Sequence, residues 1–148
     1  MAAPHPARAA TRPHTTVAVE DYLEKIEQLI ARKGHARVAA IAAGLRISQA
    51  SVTAMVQRLD AEGFIKYRKY RGMVLTSSGL EVARRIAHRH HLLTDFLRVL
   101  GVADEKTIYD DVEGMEHHIS PATFSAIESL TRYLEKHPAV VAKLRAGR

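Results

Sequence analysis

A chain of 148 residues, 47% hydrophobic and 26% charged, has the size and balance of one compact domain or two small ones sharing a core, and is too short for a large multidomain enzyme. With no cysteine, no run near the ~18 apolar residues of a membrane span and no secretory-type apolar stretch after Met1, it is expected to be cytoplasmic, without disulfides, thiolate zinc sites or thiol nucleophiles. The formal charge of +6 sits entirely in the first half, with 12 Lys and Arg against 6 Asp and Glu up to Gly79 and 10 against 10 from Leu80 onward, so one end suits a polyanion and the other a different task such as dimerisation or sensing.

Residues 1–16 combine prolines, small residues, histidines and arginines without periodicity, and a disordered basic arm is expected there. From Val17 onward Val19, Tyr22, Leu23, Ile26, Leu29 and Ile30 recur at helical spacing, until Gly34 follows Arg32 and Lys33 as a stop. Val38, Ile41 and Leu45 form a second short stripe ending near Gly44, and Ser48 stands as an N-cap before Val52, Met55, Val56 and Leu59. Two short helices joined by a tight glycine-containing turn predict a helix-turn-helix. Beyond Gly63, the β-favouring runs Phe64–Arg68 and Met73–Thr76 flank Lys69-Tyr70-Arg71-Gly72 and predict a hairpin, or wing. Ser78 with Glu81 has the form of a capping box opening a long helix to about Leu100, which Gly101 ends. A helix from about Asp104 to His118 follows, then one capped by Ser120 with Pro121 at its first position, carrying Phe124, Ile127, Leu130 and Leu134 and ending before Pro138. The expected organisation is therefore an arm (1–16), a winged-helix domain (17–79), a helical domain (80–137) and a small basic tail (138–148) to which no element is assigned.

On the third helix Ala50, Ser51, Thr53, Ala54, Gln57 and Arg58 face away from the apolar side, with Ser48 and Gln49 at its start. Small residues let a helix sink into the major groove, hydroxyls and Gln can bond base edges or phosphates, and Arg58 can hold a phosphate at the margin. Lys66, Arg68, Lys69 and Arg71 of the wing suit backbone neutralisation. The blander reading, a solvated helix or a protein-interaction module, fits poorly with a face that carries no acid. Together these residues predict binding to double-stranded DNA.

Glu113, Glu116 and His117, at i, i+3 and i+4, emerge on one helical face as a ligand cluster. His90 lies on the apolar stripe of the long helix, where an unpaired imidazole carries a desolvation cost; a satisfied core histidine is the simpler explanation of it taken alone. Asp21 and Glu24, about 60° apart on the first helix, either complement its dipole or join a site. Four carboxylates and two imidazoles without sulfur suit a hard or borderline cation such as Mn²⁺, and shared carboxylates could support two ions. Zn²⁺ or Co²⁺ should bind such ligands as tightly, so selectivity must come from geometry. A di-metal carboxylate enzyme would use similar Glu/His pairs but leaves the basic wing unexplained, and an organic effector is disfavoured by few aromatics and the acidic cluster.

Val19-Glu-Asp-Tyr-Leu-Glu24, Ser51-Val-Thr-Ala-Met-Val-Gln-Arg-Leu-Asp60, Lys69-Tyr-Arg-Gly-Met-Val-Leu-Thr76, Arg89-His-His-Leu-Leu93 and Asp111-Val-Glu-Gly-Met-Glu-His-His118 resemble the diphtheria-toxin-repressor (DtxR) family of metal-dependent transcriptional repressors, most closely its manganese-responsive branch. The resemblance covers about residues 17–136 and implies a mainly α protein: an N-terminal winged helix-turn-helix with a small β-hairpin, then an all-helical dimerisation and metal-binding domain. It further implies a homodimer on operator DNA, no enzymatic activity and no organic ligand. Asp21, Glu24, His90, Glu113, Glu116 and His117 are, by the same resemblance, ligands of a site for two Mn²⁺ per subunit, and the regulated genes serve manganese uptake. In the iron-responsive branch a Met and a Cys stand where Asp21 and Glu113 are here, which favours manganese. The longer arm before Val17 departs from the family pattern, which does not explain its role.

Overall fold

The computed structural model describes residues 15–147. Helix α1 (Val17–Lys33) begins at Thr16, whose extended backbone and hydroxyl cap the first turn by accepting from the Val19 amide (3.4 Å), and ends at Gly34 in the left-handed conformation (φ 76°). Thr16, expected in the arm, is thus the N-cap of α1, and Thr15 beside it donates its hydroxyl to Glu20 (2.7 Å); the rest of the arm lies outside the described residues. The apolar stripe of α1 buries Val19, Tyr22, Leu23 and Ile26.

Helices α2 (Val38–Leu45) and α3 (Gln49–Ala61) are set at 113° to each other, within the ~90–120° of helix-turn-helix pairs. The turn is not made by Gly44, as the spacing predicts. Gly44 lies inside α2, where an added Cβ would stand 3.0 Å from Lys25 Cδ, and Arg46 takes the left-handed position (φ 56°). Ser48 caps α3 as expected, accepting from the Ser51 amide at 3.1 Å.

Strands β1 (Ile65–Arg68) and β2 (Gly72–Leu75) pair antiparallel with Ile65 opposite Leu75 and Arg68 opposite Gly72. Alternation turns Ile65 and Met73 inward and Lys66, Arg68 and Val74 outward. Asp60 Oδ1 accepts from the Tyr67 amide at 3.0 Å, fastening the hairpin to α3.

Helix α4 (Ser77–Val99) is capped by Thr76 rather than by Ser78. The Thr76 hydroxyl accepts from the Gly79 amide (3.2 Å) and donates to the Gly63 carbonyl (2.6 Å), so the hairpin exit sets the helix start two residues earlier than the capping-box pattern suggests. A Cβ on Gly79 would lie 2.0 Å from the Phe64 carbonyl oxygen. Gly→Ala inside a helix ordinarily gains ~1 kcal/mol, but a backbone clash this deep outweighs it. Gly79→Ala is expected to destabilise the protein by about 3 kcal/mol, the upper end of ordinary overpacking costs. A urea midpoint equal to or above the parent's would contradict this.

Helix α5 (Glu105–Glu116) starts from Asp104, which accepts from the Thr107 amide (2.8 Å), and α6 (Pro121–Lys136) from Ser120, which accepts from the Thr123 amide (3.2 Å). The tail is a correction: it forms α7 (Pro138–Ala146). Proline ends α6 and is tolerated in the first turn of a new helix, and nine residues are too few to show an amphipathic stripe. Arg145 of α7 donates to the Arg98 (2.8 Å) and Val99 carbonyls at the end of α4.

Two apolar clusters result. One gathers Leu23, Ile26, Ile41, Val52, Leu59 and Ile65 and extends to Val82 and Ile86 of α4; the other holds Leu93, Ile108 and Val112. Between Ile86 and Leu93, where α4 passes from one cluster to the other, lies His90.

Candidate metal centre and DNA-facing surface

Three helices bring the expected ligands together. Asp21 and Glu24 come from the polar side of α1, His90 from the middle of α4, and Glu113, Glu116 and His117 from the end of α5. A cleft of about 590 Å³ is lined by Asp21, Glu24, His90, Tyr109, Glu113 and His117 among others. One ligand atom each from His90, Glu113 and Glu116 lies within 4.8 Å of the other two. Beside this group His117 Nε2 stands 3.2 Å from Asp21 Oδ1 and 3.5 Å from Glu116 Oε1, while Glu116 Oε2 is 3.4 Å from His90 Nδ1. The Glu116 carboxylate therefore faces two loci, one oxygen to each.

Glu116 is 2% exposed, and among the described residues neither of its oxygens has a hydrogen-bond partner; nor do the buried Nδ1 atoms of His90 and His117. Such burial without donors costs several kcal/mol for an ionised carboxylate, roughly, unless a cation compensates it. The donors present fit a divalent metal on this ground.

Electrostatics agree. Burial, then repulsion from Glu116 and Glu113, pushes the Glu24 carboxyl above the usual carboxylate range. Burial and Glu116 do the same to Glu113, and burial raises Asp21 against the opposing pull of His117. The Glu116 carboxylate holds the His90 imidazole above its ordinary value. Asp21 and Glu24 both line the cleft. Spacing did not single out Glu20, which is buried on the far edge of His117. Its only advance signal was general: a ligating imidazole commonly has a carboxylate at its second nitrogen.

On α3, Gln49, Ala50, Ser51, Ala54, Gln57 and Arg58 are exposed, Thr53 is half-buried, and Ser48 is exposed at the cap. Lys66, Arg68, Lys69 and Arg71 are exposed on the hairpin. Several of these groups are internally engaged: the Ser48 and Ser51 hydroxyls meet at 2.8 Å, Thr53 donates to the Gln49 carbonyl (2.9 Å), and Arg58 donates to Glu62 (2.7 Å). Glu62 is an acid at the end of the face that the sequence reading did not weigh. An exposed i,i+4 pair contributes only ~0.3–0.5 kcal/mol, so Arg58 can exchange it for a phosphate.

A winged helix joined to a helical half through an acid-and-histidine cleft is the architecture of a metal-dependent DNA-binding regulator. Residues 14–73 match the family described as iron dependent repressor, N-terminal DNA binding domain, and residues 76–142 its metal binding and dimerisation domain. The HTH-type transcriptional regulator MntR of Lysinibacillus sphaericus (strain C3-41) is 47% identical over 90% of this chain and 95% of its own. MntR of Bacillus subtilis (strain 168) is 50% identical over 84% of this chain and 87% of its own. The chain belongs to the iron-dependent-repressor (DtxR) family, within its MntR group of transcriptional regulators, which are named as regulators and not as enzymes. Among solved structures, the manganese regulator SloR matches with a TM-score of 0.66 at 27% identity over 78% of this chain and 54% of that one. The manganese-activated repressor ScaR in its apo form gives 0.67 at 27% identity over 76% and 54%. This chain spans about half the length of those two proteins. Among the described residues no single helix is long and apolar enough to cross a membrane.

Proposed function

We propose that this protein is a manganese-activated repressor that binds operator DNA as a homodimer and controls manganese uptake genes in the cytoplasm, with Asp21, Glu24, His90, Glu113, Glu116 and His117 holding two Mn²⁺ per subunit. The observation that carries the reading is Glu116, buried with both oxygens unpartnered and facing His90 on one side and His117 on the other. Four carboxylates and two imidazoles without sulfur favour Mn²⁺ by hardness, and selectivity over Zn²⁺ rests on coordination geometry. The relatives' printed names, a manganese regulator and a manganese-activated repressor, support the choice.

A bound divalent cation supplies the positive charge that offsets repulsion among the clustered acids. Asp21 and Glu24 move with α1, which packs into the winged-helix core, whereas Glu113, Glu116 and His117 move with α5. Drawing both sets to one place fixes the DNA-facing α3 against the helical half. The exposed Leu130 and Tyr133 of α6, 46% and 51% accessible, offer apolar surface for a second copy. In a dimer, the fixed orientation sets the separation of two α3 helices, which must match half-sites about one helical turn (~34 Å) apart. The organisation into winged-helix (17–79) and helical (80–137) domains belongs to the same proposal.

Gel retardation on DNA from the protein's own promoter tests it, with Mn²⁺, Fe²⁺, Zn²⁺ and chelator side by side. Mn²⁺ is expected to tighten binding about 5- to 150-fold, the usual span of allosteric coupling. Equal retardation in chelator would overturn the reading.

A further inference from the structure

Coordination through His117 requires its ring to present a lone pair at Nε2, the nitrogen facing Asp21 and Glu116. A neutral imidazole has one donor and one acceptor nitrogen, so something must hold the proton at Nδ1. That atom is buried and has no hydrogen-bond partner among the described residues. Glu20 Oε2 faces it at 3.5 Å, a charge contact outside hydrogen-bond geometry of the kind that tightens once a ligand is in place.

Glu20 is itself an anomaly, a carboxylate only 9% exposed in the first turn of α1. Its Oε1 is held by the Thr15 hydroxyl at 2.7 Å and faced by Arg85 of α4 at 3.7 Å, and Arg85 also donates to Thr15 at 3.3 Å. One oxygen is thus fixed by α4 and the helix start, leaving the other aimed at His117. The two nitrogens point to opposite edges of the ring, so Glu20 stands on the side away from Asp21 and Glu116.

We propose that Glu20 is a positioning residue: it fixes His117 as the Nδ1–H tautomer and aims Nε2 into the cleft. With Nε2 taken by a metal, Nδ1 is the only nitrogen left to carry the proton, and an acceptor oxygen at that edge of the ring holds it there. The inference rests on reading His117 as a metal ligand.

Mn²⁺ titrations of the full chain, with free Mn²⁺ followed by electron paramagnetic resonance, test it. Glu20→Ala is expected to weaken binding about 10- to 100-fold with the number of ions unchanged. Glu20→Gln, whose amide oxygen still accepts from Nδ1–H, and Arg85→Met, which leaves the acceptor in place, should stay within about threefold of the parent. Parental affinity in Glu20→Ala overturns the proposal, as does an equal loss in Arg85→Met, which would mark a packing role. One ion fewer in Glu20→Ala would make Glu20 a ligand and overturns it too. Independently of how the variants fold, ¹⁵N NMR of the parent saturated with diamagnetic Zn²⁺ should show His117 protonated at Nδ1 and metal-bound at Nε2, and the reverse overturns it. Absence of saturable binding in the parent would instead remove the manganese reading on which this one stands.

Discussion

Glu116→Leu is expected to give a protein more stable than its parent without metal and unresponsive to metal. The Glu116 side chain is 2% exposed and its two oxygens have no donors, so the fold carries a desolvated carboxylate with nothing bonded to it. Its attraction to His90 and His117, at 3.4 and 3.5 Å, is set against repulsion of Glu24, Glu113 and Asp21, each of which it pushes toward the protonated form. Replacing a whole buried ion pair by apolar side chains commonly stabilises by about 1–4 kcal/mol, whereas removing one partner destabilises when the other is left unpaired. Here His90 keeps Glu113 at 3.6 Å and His117 keeps Asp21 at 3.2 Å, so neither imidazole is stranded. A gain toward the lower end of that range is expected, because His90 loses a partner. In the parent, saturating Mn²⁺ should add stability by mass action, about 2.7 kcal/mol at a hundred times its dissociation constant. In the variant that increment should vanish, and with it the Mn²⁺ dependence of operator retardation. Urea midpoints with and without Mn²⁺ measure both effects. A variant less stable than the metal-free parent would show that Glu116 is satisfied structurally, and a retained Mn²⁺ increment would remove it from the ligand set.

Most of the fold was legible because it is written locally. The stripe Val19, Tyr22, Leu23, Ile26, the caps Ser48 and Ser120, and the alternation of Ile65, Lys66, Tyr67 and Arg68 each need only a few neighbouring residues to be recognised, and each stands where its spacing placed it. The departures arise where a distant group decides. Thr76 displaced Ser78 as the α4 cap because its hydroxyl is also claimed by the Gly63 carbonyl, thirteen residues away. Arg46, not Gly44, holds the left-handed turn position, and Gly44 lies inside α2 beside the Lys25 side chain of α1, a contact no local pattern encodes. Helix α7 is fastened by Arg145 to carbonyls 46 and 47 residues back. The cleft divides in the same way. Glu113, Glu116 and His117 form a cluster by helical spacing alone, whereas Asp21, Glu24 and His90 carry ligand chemistry without a spacing that links them to it, and the packing of α1 and α5 on α4 brings them together. Glu20 had neither local spacing nor resemblance to reveal it.

Mn²⁺ binding is expected to weaken as pH falls, starting close to neutrality, and the stability that Mn²⁺ adds is expected to widen as pH rises. Ligands must shed their protons to coordinate, so each group still protonated at the working pH costs about tenfold in affinity for every pH unit below its pKa. His90 is raised above the ordinary imidazole value of ~6.5, so competition by protons begins there. Asp21, Glu24 and Glu113 are raised above the usual carboxylate range near ~4, and they join as the pH drops further. The metal-free fold has the opposite trend. A carboxyl whose folded pKa lies above its unfolded value stabilises the fold while protonated, and that contribution is lost as pH rises through the folded pKa. His90, also raised, contributes stability fully present below its unfolded pKa and lost as pH climbs past the folded one. All four shifts therefore make the metal-free protein less stable toward alkaline pH, while metal affinity grows over the same interval. Thermal melts with Mn²⁺ and with chelator across about pH 5.5–8 should show the two curves diverging as pH increases. A gap that stays constant or narrows would mean that the raised groups are not the ones the metal deprotonates.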